Sequence, residues 1–280
     1  MAKRRRVRWD RVFVVFGPLL LLILILSFSC HHRETDDSGS DQPIVTNQSV
    51  ESSMAAETSP DAVPAAVQKP LTICIDAGHG GNDSGATDKS AEENADKKEH
   101  KRLEKDDNLN LALAVRDAFH TKYPDVQIIM TRETDVYVEL QERCDIANNA
   151  NADFFISLHR NSSTTGSGVE IWINNDSMGD NTWDKLMAEY IMDWLDKVGI
   201  SERRGIHYGF REGDGNYESN NYHVNRYTNM PSCLVEMGFM SSKEDNRNFD
   251  DHLDEYADAI ADAMMELLED KGVYPVKTLE

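Results

Sequence analysis

Cysteine is scarce in this 280-residue chain: there are four, too few for a small scaffold stapled by disulfides. Basic residues are also in short supply, 29 against 50 acidic ones, giving a net charge of −21 at pH 7. Residues 1–33 hold seven bases and one acid, a balance of +6, so the other 247 residues carry −27. A body that acidic excludes nucleic acid as a partner, because phosphate binding needs a basic surface, and excludes simple electrostatic docking onto anionic lipid. Apolar residues make up 40% of the chain, too few to fill a core evenly along its whole length. Neither GxGxxG nor GxxxxGKS/T occurs, so the glycine cluster described below lacks the fingerprint of a nucleotide-phosphate cradle. No internal repeat is evident.

The one long uncharged stretch, residues 12–30, follows the basic head and precedes an acidic region. That polarity is the polarity of an export signal, with the basic end kept in the cytoplasm. Ser27 and Ser29 would allow cleavage before Cys30, and acylation of Cys30 is a further option. The preferred reading for 1–30 is a signal-anchor that tethers the chain to a membrane and places its body outside the cytoplasm, with secretion to the cell wall as the alternative. Residues 31–69 are rich in Ser, Thr, Asp, Glu, Pro and Ala without an apolar period, which marks a flexible polar linker. The folded domain is placed at 70–280.

Within that domain short apolar runs alternate with helical patterns. Strands are expected at 71–76 (LTICID), 126–130, 153–158 (DFFISL), 168–173 (GVEIWI) and 233–236 (CLVE). Helices are expected at 108–122, 138–149, 181–198 and 250–270, and a polar, glycine-rich loop at 205–221. This order predicts an α/β fold, a single domain with a mostly parallel twisted sheet and helices on both faces.

In such sheets chemistry collects at the carboxyl ends of the strands. Three strands run into polar residues there: His79 in DAGHGG, His159 in SLHRN, and Glu236 in LVEMG. Two imidazoles and a carboxylate on one edge, with one more donor, match a His₂-carboxylate zinc site with an open position for water. Glu104, just ahead of a helix, is the nearest candidate for that donor. Zinc would bring the pKa of bound water towards about 7, and a neighbouring carboxylate would carry the proton to a leaving amine.

Longer stretches make the pattern specific: IDAGHGGNDSGA at 75–86, EKDDNL at 104–109, TRETD at 131–135, ADFFISLHRN at 152–161 and MPSCLVEMGF at 230–239. In these the chain resembles the zinc-dependent N-acetylmuramoyl-L-alanine amidases (amidase type 3), a family of bacterial cell-wall enzymes. The resemblance implies that His79, Glu104 and His159 hold one Zn²⁺ per domain and that Glu236 is the catalytic carboxylate. The implied substrate is peptidoglycan, cut at the amide between N-acetylmuramic acid and L-alanine of the stem peptide. A catalytically weak wall-binding or regulatory protein on the same fold is the alternative.

Two stretches depart from the family pattern. His79 and Glu104 are 25 positions apart, separated by the charged run at 88–102, which is a solvated excursion or an element that covers the site or binds a regulatory protein partner. Glu92, Glu93, Glu99 and His100 lie inside it as rival ligands. The 205–221 stretch brings Tyr208, Phe210, Tyr217 and Tyr222, which could line a glycan groove, while His207 and His223 read as loop residues. Glu170 is expected to face solvent or the site, and Arg132, Asp135, Arg143 and Asn148 to act as supports. Cys74, Cys144 and Cys233 read as buried and reduced, with a Cys74–Cys233 bridge left to geometry.

Overall fold

The computed structural model describes residues 69–87, 101–175, 180–210 and 221–274. The signal-anchor, nearly all of the linker, the charged run up to His100 and residues 211–220 lie outside them. Six strands form one sheet: β1 (Thr72–Ala77), β2 (Gln127–Met130), β3 (Phe154–Asn161), β4 (Val169–Ile173), β5 (Arg203–Tyr208) and β6 (Ser232–Phe239). Their order across the sheet is β2-β1-β3-β6-β4-β5. The pairings are parallel except between β4 and β6, so the sheet is mostly parallel, as the alternating sequence requires.

The helices are α1 (Glu104–Lys122), α2 (Leu140–Asn149), α3 (Thr182–Val198), α4 (His223–Tyr227), α5 (Lys243–Asp251) and α6 (Leu253–Asp270). In α1, Leu111, Ala112, Val115, Ala118 and Phe119 recur at helical spacing and are all buried. Glu104, Asp106 and Asp107 occupy its first turn and His120 and Lys122 its last, each sign at the favourable end of the helix dipole. At the start of α5 the Ser242 side chain accepts a hydrogen bond from the Asp245 N–H at 3.1 Å, a conventional N-cap.

Strand alternation divides the core in two. Ile73, Ile75, Phe154, Ile156, Cys233, Val235, Ile171 and Ile173 project into the larger core, under α1, α3 and α6. Cys74, Phe155, Trp172 and Leu234 project to the other face, where Cys144 and Ala147 of α2 and Val224 of α4 cover them. Cys74 and Cys233 therefore lie on opposite faces of the sheet, two strands apart, which excludes the bridge left open by sequence. All three described cysteines are free and buried.

Three elements were not legible beforehand. β5 is a polar edge strand, RRGIHY, with Gly205 at φ 94° and a register shift opposite Val169/Glu170, so it lacks an apolar alternation. His207 is thus a strand residue rather than a loop residue, and His223 opens the short helix α4. The third is α5, a short helix that precedes the expected final one; α6 answers to the expected 250–270, and the two meet at His252. Among the described residues no helix is long and apolar enough to cross a membrane.

Candidate metal centre and active site

The smaller core face is the one that carries the polar residues. Asp76 shares its side of β1 with Cys74; Ser157 and His159 share theirs with Phe155; Glu236 shares its with Leu234. Three adjacent strands, β1, β3 and β6, thus deliver their terminal polar side chains to one corner, as the sequence predicts. Register pairs His159 directly with Glu236.

His79 sits just beyond β1 with φ 59°, a left-handed conformation uncommon for any residue with a Cβ. Two buried arginines hold the loop there. Arg132 donates from Nε to the Ala77 oxygen at 2.8 Å, and from Nη2 to the Gly78 and Lys105 oxygens at 2.9 and 2.8 Å. Arg143 donates to the Ala77 and His79 oxygens, both at 2.7 Å. Beneath them Asp76 is fully buried and accepts from Arg143, Thr131 and Ser157 at 2.7, 2.7 and 2.6 Å. Burial alone would raise the Asp76 pKa, but the Arg143 charge and the two hydroxyls more than offset this and hold it below its ordinary value. Lys105 and Asp135 fix the next turn of the loop through the Gly81 oxygen and N–H, at 2.8 and 2.7 Å. Arg132, Asp135 and Arg143 are therefore supports, as expected, whereas Asn148 braces the distant segment at Tyr227 and Asn229.

Glu104 begins α1 and is 4% exposed. Its Oε1 lies 3.2 Å from His79 Nε2 and 3.0 Å from His159 Nδ1. It also receives the Arg160 N–H and the Asn108 amide, at 3.2 and 3.3 Å, while Oε2 receives the Ala86 N–H at 2.7 Å. The two histidines meet edge-to-face with ring centroids 5.0 Å apart. One donor atom from each of the three residues falls within 4.8 Å of the others.

This set fits a zinc ion on its chemistry and its spacing. Ligand distances of about 2.0–2.1 Å in a tetrahedron put neighbouring donors about 3.3 Å apart, close to the 3.2 and 3.0 Å between Glu104 and the two histidines. His79 Nδ1 donates to Asp83 Oδ2 at 2.8 Å and Nε2 is thereby turned toward Glu104, the carboxylate–histidine arrangement that orients metal ligands. Burial would lower the His79 pKa and raise that of Glu104. The hydrogen bonds and charge between them reverse both, lifting His79 to about 9 with help from Asp83 and holding Glu104 well below the carboxylate range with help from His159. The corner is built to hold positive charge. Two glycines clear the space: a Cβ at Gly78 would lie 2.2 Å from the His159 ring, and one at Gly85 would lie 2.6 Å from Glu104 Oε2.

A cavity of about 540 Å³ opens over these residues, and Glu236 is part of its wall. Tyr137, Leu140, Tyr222 and His223 form an aromatic and apolar flank. Of the aromatics expected in a glycan groove, Tyr222 lines the cavity, Tyr208 and Phe210 are not part of its wall, and Tyr217 lies outside the described residues. Asp83, Asp76 and Glu170 received no role from sequence, although a carboxylate four residues after a histidine in a glycine loop is a readable sign of a supporting partner for Asp83. Glu170 is 2% exposed, so it faces the interior rather than solvent.

A family model described as N-acetylmuramoyl-L-alanine amidase matches residues 73–266. The sporulation-specific N-acetylmuramoyl-L-alanine amidase of Bacillus subtilis (strain 168) is 32% identical over 62% of this chain and 58% of its own length. The N-acetylmuramoyl-L-alanine amidase CwlM of Bacillus licheniformis is 32% identical over 62% of this chain and 59% of its own. The chain thus spans less than two thirds of the length of these curated relatives. Among solved structures, the N-acetylmuramoyl-L-alanine amidase from Clostridium difficile 630 superposes with a TM-score of 0.59 at 30% identity, covering 72% of this chain and 98% of that one.

Proposed function

Because this chain belongs to the N-acetylmuramoyl-L-alanine amidase family, we propose that it hydrolyses the amide between N-acetylmuramic acid and L-alanine in peptidoglycan, outside the cytoplasm. The observation that carries the reading is the convergence of His79, Glu104 and His159 within 4.8 Å, in a cavity whose wall includes Glu236. His79 Nε2, a Glu104 carboxylate oxygen and His159 Nδ1 are the atoms that would hold one Zn²⁺. When bound, that ion supplies a Lewis acid for the carbonyl and lowers the pKa of a water to about 7.

The chain's own residues account for the remaining tasks. Asp83 keeps the His79 proton on Nδ1, and the Arg132–Arg143–Asp76 cluster fixes the main chain that carries this imidazole. Glu236 takes the proton from the attacking water onto its carboxylate and returns it to the alanine nitrogen as the C–N bond breaks and the C–O bond forms. The cavity flank of Tyr137, Leu140, Tyr222 and His223 offers aromatic and apolar surface beside the scissile bond. Residues 1–30 serve as a membrane tether and 31–69 as a spacer, so the domain reaches the wall without a basic surface.

The test is incubation of the purified full chain with peptidoglycan, with and without a zinc chelator. Release of free L-alanine amino termini that stops on chelation and returns with Zn²⁺ is the expected result. Binding to the polymer without release would overturn it in favour of a wall-binding role.

A further inference from the structure

An ion pair with no place in the chemistry above lies beside Glu236, its carboxylate (Glu170) buried and its guanidinium (Arg204) one-third exposed at the sheet edge. His159, Glu236 and Glu170 occupy one row across the sheet: His159 pairs with Glu236 between β3 and β6, and Glu236 pairs with Glu170 between β6 and the antiparallel β4. Register partners project to the same face, so two carboxylates stand side by side, an arrangement that is repulsive when both are charged. Glu170 is not part of the cavity wall, and it is tied down from several elements. Arg204 of β5 donates from Nε to Oε2 at 2.6 Å, and His207 Nε2 stands 4.0 Å from the same oxygen. Asn161 Nδ2 and Trp172 Nε1 donate to Oε1 at 2.7 and 3.1 Å. Asn161, two residues beyond His159, does line the cavity.

We propose that Glu170 and Arg204 are a positioning pair for the reaction: Arg204 balances the Glu170 charge so that Glu236 is not displaced from the cavity wall, and Glu170 holds the Asn161 side chain in that wall. A buried carboxylate stripped of its cation is costly, and its unbalanced charge then acts on Glu236, its register partner across the sheet. The cation is supplied from the edge strand β5, so the outermost strand of the sheet is tied to Glu236 two strands away. This rests on the amidase reading.

The test uses the full chain and three variants, Arg204→Gln, Glu170→Gln and the double variant, with kcat, KM, zinc stoichiometry and thermal melting measured for each. Arg204→Gln is expected to lower kcat about 10–100-fold, the usual range for outer partners of a site. KM should change by less than about threefold and zinc stoichiometry should be unchanged. In the double variant a neutral amide pair replaces the ion pair, and kcat should recover to within about fivefold of wild type. A structural role alone predicts a double variant no more active than the worse single one, and that result would overturn the proposal. Should Arg204→Gln not fold, the double variant against Glu170→Gln decides in the same way. An active wild type with an unaffected Arg204→Gln sinks this inference alone, whereas an inactive wild type sinks the amidase reading and this with it.

Discussion

Arg143, buried on α2, donates at 2.7 Å to the main-chain oxygen of His79 and, at the same distance, to the carboxylate of Asp76 and the oxygen of Ala77. A helix on one side of the sheet thereby fixes the conformation of a candidate metal ligand at the end of a strand. Arg143→Met leaves Asp76 as a buried carboxylate without its cation, and such breaks cost about 3–5 kcal/mol. Chemical unfolding should report that loss, and zinc titration should show affinity falling about 10–100-fold, because the His79 loop is no longer held. Unchanged affinity in a folded variant would remove Arg143 from the site.

The roles assigned to two glutamates separate cleanly by measurement. Glu104→Ala should abolish stoichiometric zinc, whereas Glu236→Gln should keep the metal and lose about 10²–10⁴ in kcat. Zinc retained by Glu104→Ala would transfer the ligand role to a residue of the 88–100 segment. Activity retained by Glu236→Gln would require another proton carrier.

Gly85 has φ 62° and a Cβ there would meet Glu104 Oε2 at 2.6 Å and His79 Cδ2 at 2.7 Å. Gly85→Ala should cost about 1–3 kcal/mol from backbone strain alone. It should also push the two candidate ligands apart, so weakened zinc binding by at least about tenfold is expected in competition with a chelator. A variant with wild-type zinc affinity would show that the loop can give way.

Acid stability follows from Asp76. Its folded-state pKa is depressed below the unfolded value of about 3.9, so its contribution is present above that pH and is lost as pH falls through the folded pKa. Unfolding free energy measured from pH 7 to 2 should therefore drop more steeply below about pH 4 in the wild type than in Asp76→Asn. Parallel curves would mean that another carboxylate governs the acid limb.

The three cysteines of the domain should be inert. Burial, with the charge of Asp76 adding to it, pushes the Cys144 thiol up to about 12, and burial raises Cys74 and Cys233 further. Under native conditions a thiol reagent should label none of them, and all three should react once the chain is denatured. Labelling of Cys233 without unfolding would contradict its place in the larger core.

The sequence by itself determined the α/β class and five of the six strands, and it offered the export signal and, through the family motifs, the four candidate site residues as expectations. It could do so because strands buried on both faces read as short apolar runs, and because the residues past their ends stand out as polar exceptions. It also put Glu104 ahead of the rival residues in the charged run, and the structure brings Glu104 between the two histidines. Only the tertiary structure decided what surrounds them. β5 escaped notice because an edge strand exposes half its surface and needs no apolar alternation. Asp76, Arg132 and Arg143 are 56 and 11 positions apart in sequence, yet they form one hydrogen-bonded cluster through pairing of β1 with β2 and docking of α2. Glu170 and Glu236 are neighbours only because β4 inserts antiparallel beside β6. Local pattern reports what each segment buries; which charges face each other is set by strand order and register, and these depend on contacts between segments far apart in the chain.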